Sequence, residues 1–194
     1  FEESLIESIE IPPKLIELKD GWCKGTDKLT EIFVSAHNPK YLTYGNEMII
    51  GRSSKDTEIY DEVVFCTRNI EEITIPAFIR CIKPYAFEKC SKLHNVEILP
   101  NSELQSIEKY AFSESSIERF SIPLHLTRIN NNSFFKCKQL QEIEIPINSE
   151  LQSIGKYAFA ESSIQSFYIP QKTIKINKYA FYKCKQLCKV EISE

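Results

Sequence analysis

Residues 104–147 read LQSIEKYAFSESSIERFSIPLHLTRINNNSFFKCKQLQEIEIPI, and residues 151–194 read LQSIGKYAFAESSIQSFYIPQKTIKINKYAFYKCKQLCKVEISE. The two segments start 47 residues apart and, aligned without a gap, are identical at more than half of their positions. Self-similarity at a fixed period is the sequence signature of a repeat architecture. The fold is therefore decided by how such segments stack.

Each segment divides again into two units of about 23 residues. One phenylalanine per unit follows an alanine or serine, at Phe87, Phe112, Phe134, Phe159 and Phe181. The units end on Ile-Pro or Leu-Pro, at Pro76, Pro100, Pro123, Pro146 and Pro170. A period of 20–29 residues is typical of leucine-rich-repeat solenoids, in which one coil is one repeat and each coil buries its apolar face against its neighbours.

Each unit contains a predicted strand and a predicted turn. Residues 140–146 (LQEIEIP) alternate apolar and polar residues, which favours a half-buried strand ended by its proline. The YAF segment that follows predicts a tight turn or one 3₁₀ turn, with the phenylalanine in the core. Stacking should align these rings in a column. We predict eight strand units, ending near residues 12, 35, 76, 100, 123, 146, 170 and 193, and a ladder roughly 35–40 Å long.

One coil carries an insertion. The step between the second and third strand units, from Ser35 to Pro76, is longer than the others. Turn residues and two apolar runs, at residues 48–50 and 63–65, predict a β-hairpin within residues 36–69 that protrudes from the solenoid. Such an insertion either carries function or is a tolerated surface addition, and the sequence leaves both open.

The repeating pattern I-x-x-Y-A-F-x-x-C-x-x-L, present as residues 82–93 and in part as residues 154–159, resembles the BspA-type leucine-rich repeat. The segment Asn38-Pro39-Lys40-Tyr41 resembles an inserted coil of that family, whereas residues 21–25 (GWCKG) depart from its Ala-Phe pattern. We expect one mostly β domain over residues 1–194, a right-handed solenoid with short 3₁₀ or helical turns. The start without methionine and the uncapped last coil suggest a fragment of a longer chain.

The resemblance implies a cell-surface or secreted protein of bacteria and mucosal protozoan parasites. Its implied role is non-catalytic adhesion to host cells, matrix proteins or other microbes. An intracellular, cytoplasmic scaffold or enzyme inhibitor is the alternative, since unpaired thiols are compatible with that location.

The residues that flank the middle apolar position of each strand should point outward. The charged and aromatic ones are Glu10, Glu31, Phe33, Glu72, Glu97, Arg119, Glu142, Glu144, Tyr168, Lys189 and Glu191. Glutamates dominate this set, so we expect an acidic face that binds a cationic or mixed-charge protein, with Phe33 and Tyr168 as aromatic anchors. The alternative is that the charges merely keep an open sheet soluble and unpaired.

Composition and motifs argue against other classes of function. A net charge of −3 gives no cationic excess for nucleic acid, and no apolar run is long enough to span a membrane. Neither hydrolase nor phosphate-loop motifs occur, so we predict no enzyme, catalytic residue, cofactor or metal site. Cys90, Cys137 and Cys184 recur two coils apart, about 9–10 Å, too far for a disulfide. We expect them to be buried at one repeat position.

Overall fold

The structure is a computed structural model that describes residues 1–54, 56 and 58–193. These residues form sixteen short strands and no α- or 3₁₀-helix. The strands are β1 (Ser8–Ile11), β2 (Glu31–Val34), β3 (Tyr41–Tyr44), β4 (Met48–Gly51), β5 (Glu62–Cys66), β6 (Glu72–Ile75), β7 (Cys81–Ile82), β8 (Asn95–Ile98), β9 (Ser106–Ile107), β10 (Arg119–Ser121), β11 (Arg128–Ile129), β12 (Glu142–Glu144), β13 (Ser153–Ile154), β14 (Ser166–Ile169), β15 (Lys175–Ile176) and β16 (Lys189–Ile192).

The first ladder contains the eight strand units predicted from the sequence. In chain order it is β1, β2, β6, β8, β10, β12, β14 and β16, which pair in parallel as β1–β2, β6–β8, β10–β12 and β14–β16. The ladder is interrupted between β2 and β6, because β2 contacts β3 and β4 of the insertion instead of β6. Equivalent repeat positions face each other, as Phe120 faces Ile143. Between two of these pairs, the Glu118 N–H donates to the His94 carbonyl at 3.2 Å. Apart from the coil with the insertion, the coils therefore stack with a register of about 23 residues, which confirms the predicted solenoid.

A second ladder runs along the same stack and was not predicted. Its strand order is β15-β13-β11-β9-β7-β5-β4-β3. Five of its strands are only two residues long and lie in stretches such as LQSI and LTRI. Ile129, for example, pairs with Ile107 of one neighbouring coil and Ile154 of the other. From β6 onward, each coil thus contributes two strands on different sides, with the core between them.

The core holds the predicted column of phenylalanines. Phe87, Phe112, Phe134, Phe159 and Phe181 stack with centroid separations of 4.8, 5.2, 5.2 and 5.6 Å and interplanar angles below 10°. These separations are close to the spacing of neighbouring strands, so one ring per coil fills the centre of the stack.

The turns differ from the predicted 3₁₀ or helical segments. Each repeat turn has two non-glycine residues in the left-handed region, with φ between 55° and 64°, and these are the pairs Tyr85/Lys89, Tyr110/Glu114, Asn132/Lys136, Tyr157/Glu161 and Tyr179/Lys183. A left-handed residue interrupts a run of helical dihedrals, so the chain forms successive tight turns. Their N–H groups bond to the next coil, as Phe134 N–H does to the Ala158 carbonyl at 2.8 Å.

The first turn keeps this backbone with a different sequence. Gly21 (φ 83°) and Gly25 (φ 70°) occupy the two left-handed positions of the repeat turn. Cys23 is buried at the position of the phenylalanine, and Trp22 packs on Phe65 with ring centroids 5.4 Å apart. The departure of residues 21–25 from the repeat sequence therefore changes the packing and preserves the path of the chain.

The insertion contains three antiparallel strands, one more than the predicted hairpin. Strands β3 and β4 are joined by Gly45 and Asn46, both with φ near +60°, the signature of a type I′ turn. Strand β4 pairs antiparallel with β5, and β5 pairs in parallel with β7, so the insertion extends the second ladder. The polar run that the sequence places between β4 and β5 includes residues 55 and 57, which lie outside the described part.

The three cysteines at the repeat position are buried or half-buried. Cys90 and Cys137 are fully buried and Cys184 is half-buried, and all seven cysteines have free thiols. The thiols of Cys137 and Cys184 each donate to a carbonyl of the preceding coil at 3.0 Å. Burial raises the pKa of Cys137 to about 12, which keeps this thiol neutral.

Candidate binding face

The outward side of the first ladder is the candidate site, and we call it the strand face. Every one of the predicted residues lies on it with an exposed or half-buried side chain, namely Glu10, Glu31, Phe33, Glu72, Glu97, Arg119, Glu142, Glu144, Tyr168, Lys189 and Glu191. The cause is the two-residue alternation of the strands, which turns the middle apolar residue inward. Phe33 is the most prominent apolar member, with 59% of its surface exposed.

The strand face consists of two rows along the stack, each interrupted between β2 and β6 by the insertion. The first row is Ser8, Glu31, Glu72, Asn95, Arg119, Glu142, Ser166 and Lys189. The second row is Glu10, Phe33, Thr74, Glu97, Ser121, Glu144, Tyr168 and Glu191. Both cations belong to the first row, so the second row carries four carboxylates and no positive charge.

Short polar contacts connect neighbouring coils across this face. Arg119 pairs with Glu142 at 3.5 Å, and the Thr74 hydroxyl donates to Glu97 at 2.6 Å. His94 lies 3.1 Å from Glu72, and its pKa is raised, first by the Lys92 backbone carbonyl and further by the Glu72 carboxylate. Exposed pairs of this kind stabilise the fold little and are screened by salt, so the carboxylates remain available to a cationic partner.

The insertion forms a wall beside the strand face. The β3–β4 turn lies next to β6 and β8 and encloses a groove of about 340 Å³, lined by Tyr44, Gly45, Glu47, Met48, Glu72, Ile73, Thr74, Asn95 and Glu97. Glu47, Glu72 and Glu97 bring three carboxylates to one concave site. Tyr44, 41% exposed, packs edge-on against Phe78 with centroids 6.2 Å apart. We call this site the hairpin groove.

The hairpin groove unites two features that the sequence analysis treated separately. The strand face and the insertion were independent candidates, and nothing in either pattern predicts that the turn at Gly45 folds back over Glu72 and Glu97. The position of the insertion was an available signal, because it follows β2 directly and so emerges within the first ladder. Tyr44 and Glu47 were not predicted as site residues.

The two predicted aromatic anchors do not lie together. Four strand units of the first ladder, β6, β8, β10 and β12, separate Phe33 from Tyr168. At one strand spacing per coil, their backbones are more than about 20 Å apart. Each can contribute to binding, but they cannot form one compact aromatic cluster. A second, smaller groove of about 290 Å³ includes Arg119 and Glu142.

The strand face is rich in hydrogen-bond acceptors. Its exposed carboxylates and hydroxyls accept hydrogen bonds from ammonium and guanidinium groups. Among residues 1–54, 56 and 58–193, no group of three or more His, Cys, Asp or Glu side chains is placed to hold a metal ion. The same described residues include no helix of the length and apolar character needed to cross a membrane.

Solved structures with the same fold come from bacteria. The pneumococcal vaccine antigen PcpA superposes with a TM-score of 0.77 at 19% identity, over 96% of this chain and 45% of that one. A leucine-rich repeat protein of Eubacterium ventriosum superposes with a TM-score of 0.69 at 16% identity, over 95% of this chain and 48% of that one. The T. pallidum leucine-rich repeat protein superposes with a TM-score of 0.66 at 23% identity, over 76% of this chain and 70% of that one.

The chain spans less than half the length of the first two of these structures. A search of the curated proteins finds no match. The family model for the BspA type leucine-rich repeat region matches residues 57–194 in six copies, which is well over half of the chain. The chain therefore belongs to the BspA-type leucine-rich repeat family.

Proposed function

We propose that the chain is a non-catalytic protein-binding module of a cell-surface or secreted protein, and that it mediates adhesion through its strand face. The observation that carries this proposal is the hairpin groove, in which Glu47, Glu72, Glu97 and Tyr44 line one concave site. The partner is a protein that presents lysine or arginine side chains on an extended segment or loop.

The groove has the properties of an interface centre. Concave walls exclude water around a bound side chain, and this strengthens the attraction between the partner's cation and the three carboxylates. Tyr44 supplies an aromatic contact with a hydroxyl at its tip, a residue type enriched in protein interfaces. The remaining glutamates of the strand face would steer a cationic partner toward the groove and increase the rate of association.

Membership of the family and the likeness to PcpA, which is described as a pneumococcal vaccine antigen, support the surface location. The free thiols favour the second candidate, an intracellular scaffold or enzyme inhibitor. Protease shaving or surface biotinylation of intact cells separates the two. Labelling of the protein on intact cells supports adhesion, and labelling only after lysis supports the scaffold.

The binding proposal is tested by reversing charge in the hairpin groove. The variant Glu72→Lys with Glu97→Lys, both exposed, should lose binding to immobilised matrix proteins and to host cells by at least about tenfold. The matched control is Glu114→Lys with Glu161→Lys in the turns. This control makes the same change in charge, and lysine already occupies the equivalent positions of other coils, at Lys89, Lys136 and Lys183.

Loss of binding in the groove variant alone supports the proposal. Equal binding by the groove variant and the wild-type chain, with unchanged dependence on salt, would show that the acidic face serves solubility. Equal loss in the groove and control variants would show that the overall charge of the chain, and not the groove, controls association.

A further inference from the structure

The last coils of the stack carry charge of the opposite sign. Residues 171–190 contain six lysines and no aspartate or glutamate, in a chain whose net charge is −3. The lysines are Lys172, Lys175, Lys178, Lys183, Lys185 and Lys189. One end of the stack is therefore positively charged, although the chain as a whole is negatively charged.

Two of these lysines join two cations of earlier coils in one patch. Arg128 and Lys175 both pair with Ser153 in the ladder, on either side of it, so they occupy the same outward position two coils apart. That separation is about 10 Å. Lys156 lies two residues after Ile154, and Lys178 lies two residues after Ile176. Because Ile154 and Ile176 pair with each other, the two lysines lie on successive coils. We call Arg128, Lys156, Lys175 and Lys178 the cationic patch.

The cationic patch lacks negative partners. All four side chains are exposed, and none forms an ion pair with a carboxylate in the described part of the chain. The neighbouring Lys172 does pair, with Glu150 at 3.5 Å. Cations held by the backbone at intervals of one or two coils repel each other, and a bound polyanion would remove that repulsion.

We propose that the cationic patch binds a linear sulfated polysaccharide that lies along the second ladder. Sulfate groups stay charged at all physiological pH values and recur along such a chain, as the cations recur along the stack. Ser153, which lies between Arg128 and Lys175, and the exposed Gln152 offer hydrogen bonds to sugar hydroxyls. The site is separate from the strand face, so one chain holds a protein partner and a glycan on different sides.

The aromatic residues beside the patch favour a glycan over nucleic acid. Binding of single-stranded nucleic acid relies on open aromatic faces on which bases stack. Here Tyr157 and Tyr179 stack on each other with centroids 5.0 Å apart and an interplanar angle of 14°, so each covers one face of the other. The Lys156 Nζ lies over the Tyr157 ring, 5.2 Å from its centroid.

The test is direct binding of a fluorescently labelled heparin dodecasaccharide to the 194-residue chain, by anisotropy at several salt concentrations. The variant Arg128→Gln with Lys175→Gln should bind about tenfold more weakly, with a shallower dependence on salt. The control is Lys138→Gln with Lys185→Gln, an equal loss of charge at exposed turn positions, also two coils apart. It should change the affinity less than about twofold. Thermal unfolding checks that both variants fold.

Several results would overturn the proposal. These are the absence of saturable heparin binding by the wild-type chain at physiological salt, or an equal loss of affinity in the control variant. Equal affinity for desulfated heparin would show that sulfate is not recognised. Equal affinity for single-stranded DNA or for phosphatidylserine vesicles would show a general attraction to anions.

Discussion

Gly155 lies so close to Asn130 of the preceding coil that a Cβ atom at Gly155 would come within 2.4 Å of the Asn130 carbonyl carbon. The Gly155 N–H also donates to the Ile129 carbonyl at 2.7 Å, which fixes the two backbones together. Other coils hold a residue with a side chain at the equivalent position, such as Glu108 and Asn177. The close approach is therefore a local property of these two coils.

Replacing this glycine should destabilise the fold. Gly155→Ala forces the backbones apart, and we expect the free energy of unfolding to fall by about 1–3 kcal/mol. Urea denaturation followed by circular dichroism measures the change. The control is Lys156→Ala at the exposed neighbouring position, which should stay within about 0.5 kcal/mol of wild type. Equal stability of both variants would contradict the close packing of these coils.

The phenylalanine column should dominate stability. Phe134 is fully buried between Phe112 and Phe159, so Phe134→Ala leaves a cavity in the centre of the stack. We expect a loss of about 3–5 kcal/mol. The same substitution at the exposed Phe33 should cost less than about 1 kcal/mol. A Phe134→Ala protein as stable as Phe33→Ala would show that the rings are not stacked in the core.

Arg68 should stabilise the junction between the insertion and the coils on both sides. Its buried guanidinium donates to the carbonyls of Ala86 at 2.9 Å, Tyr85 at 3.1 Å and Thr26 at 3.4 Å. Each of these carbonyls also accepts a backbone N–H, from Cys66, Glu88 and Leu29 respectively. Arg68→Met would remove the second donor from each of them and the three donors that cross the junction, and we expect a loss of about 2–3 kcal/mol in denaturant unfolding.

The control for Arg68 is Arg80→Met. Arg80 is exposed and pairs with Glu103 at 2.9 Å, so its loss should cost less than about 1 kcal/mol. An equal loss of stability in Arg68→Met and Arg80→Met would contradict the stabilising role assigned to Arg68.

Stability should fall in alkaline solution because of the buried thiols. Burial holds the pKa of Cys137 at about 12 in the folded chain, whereas an unfolded thiol ionises near about 8.5. Between these pH values the thiol is ionised in the unfolded state and protonated in the folded state. The free energy of unfolding therefore falls as the pH rises. We expect a contribution of about 1 kcal/mol per pH unit from this group above pH ~9.

Cys137→Ser should reduce this dependence on pH, since serine does not ionise in that range. Serine is compatible with the surroundings, because Ser115 and Ser162 are buried in neighbouring coils. Unfolding curves measured from neutral to alkaline pH give the slope for each protein. An unchanged slope in Cys137→Ser would mean that Cys137 ionises equally in the folded and unfolded states.

The repeat explains how much of the fold the sequence could predict. The first ladder and the phenylalanine column follow from residues that recur at a fixed period, such as Phe112 and Phe134. The two-residue strands of the second ladder, β7, β9, β11, β13 and β15, were missed because they are too short for a period-two pattern. The left-handed turns were missed because Tyr85 and Lys89 are residue types that rarely adopt positive φ.

The candidate site was predicted in part for a related reason. Alternation within each strand shows which side chains point outward, so Glu72 and Glu97 could be assigned to the strand face from the sequence. The hairpin groove depends on where a type I′ turn at Gly45 and Asn46 comes to rest. That is a tertiary contact between segments about 30 residues apart, and no local pattern encodes it.

The most direct test of the central claim is site-specific photo-crosslinking from the hairpin groove. Benzoylphenylalanine is placed at the exposed Thr74, which lines the groove, and in a second protein at the exposed Lys138, which lies in a turn away from it. With intact host cells as the source of partner, we predict that the Thr74 probe forms a covalent adduct with a protein and that the Lys138 probe does not. An adduct from Lys138 and none from Thr74 would contradict binding through the strand face.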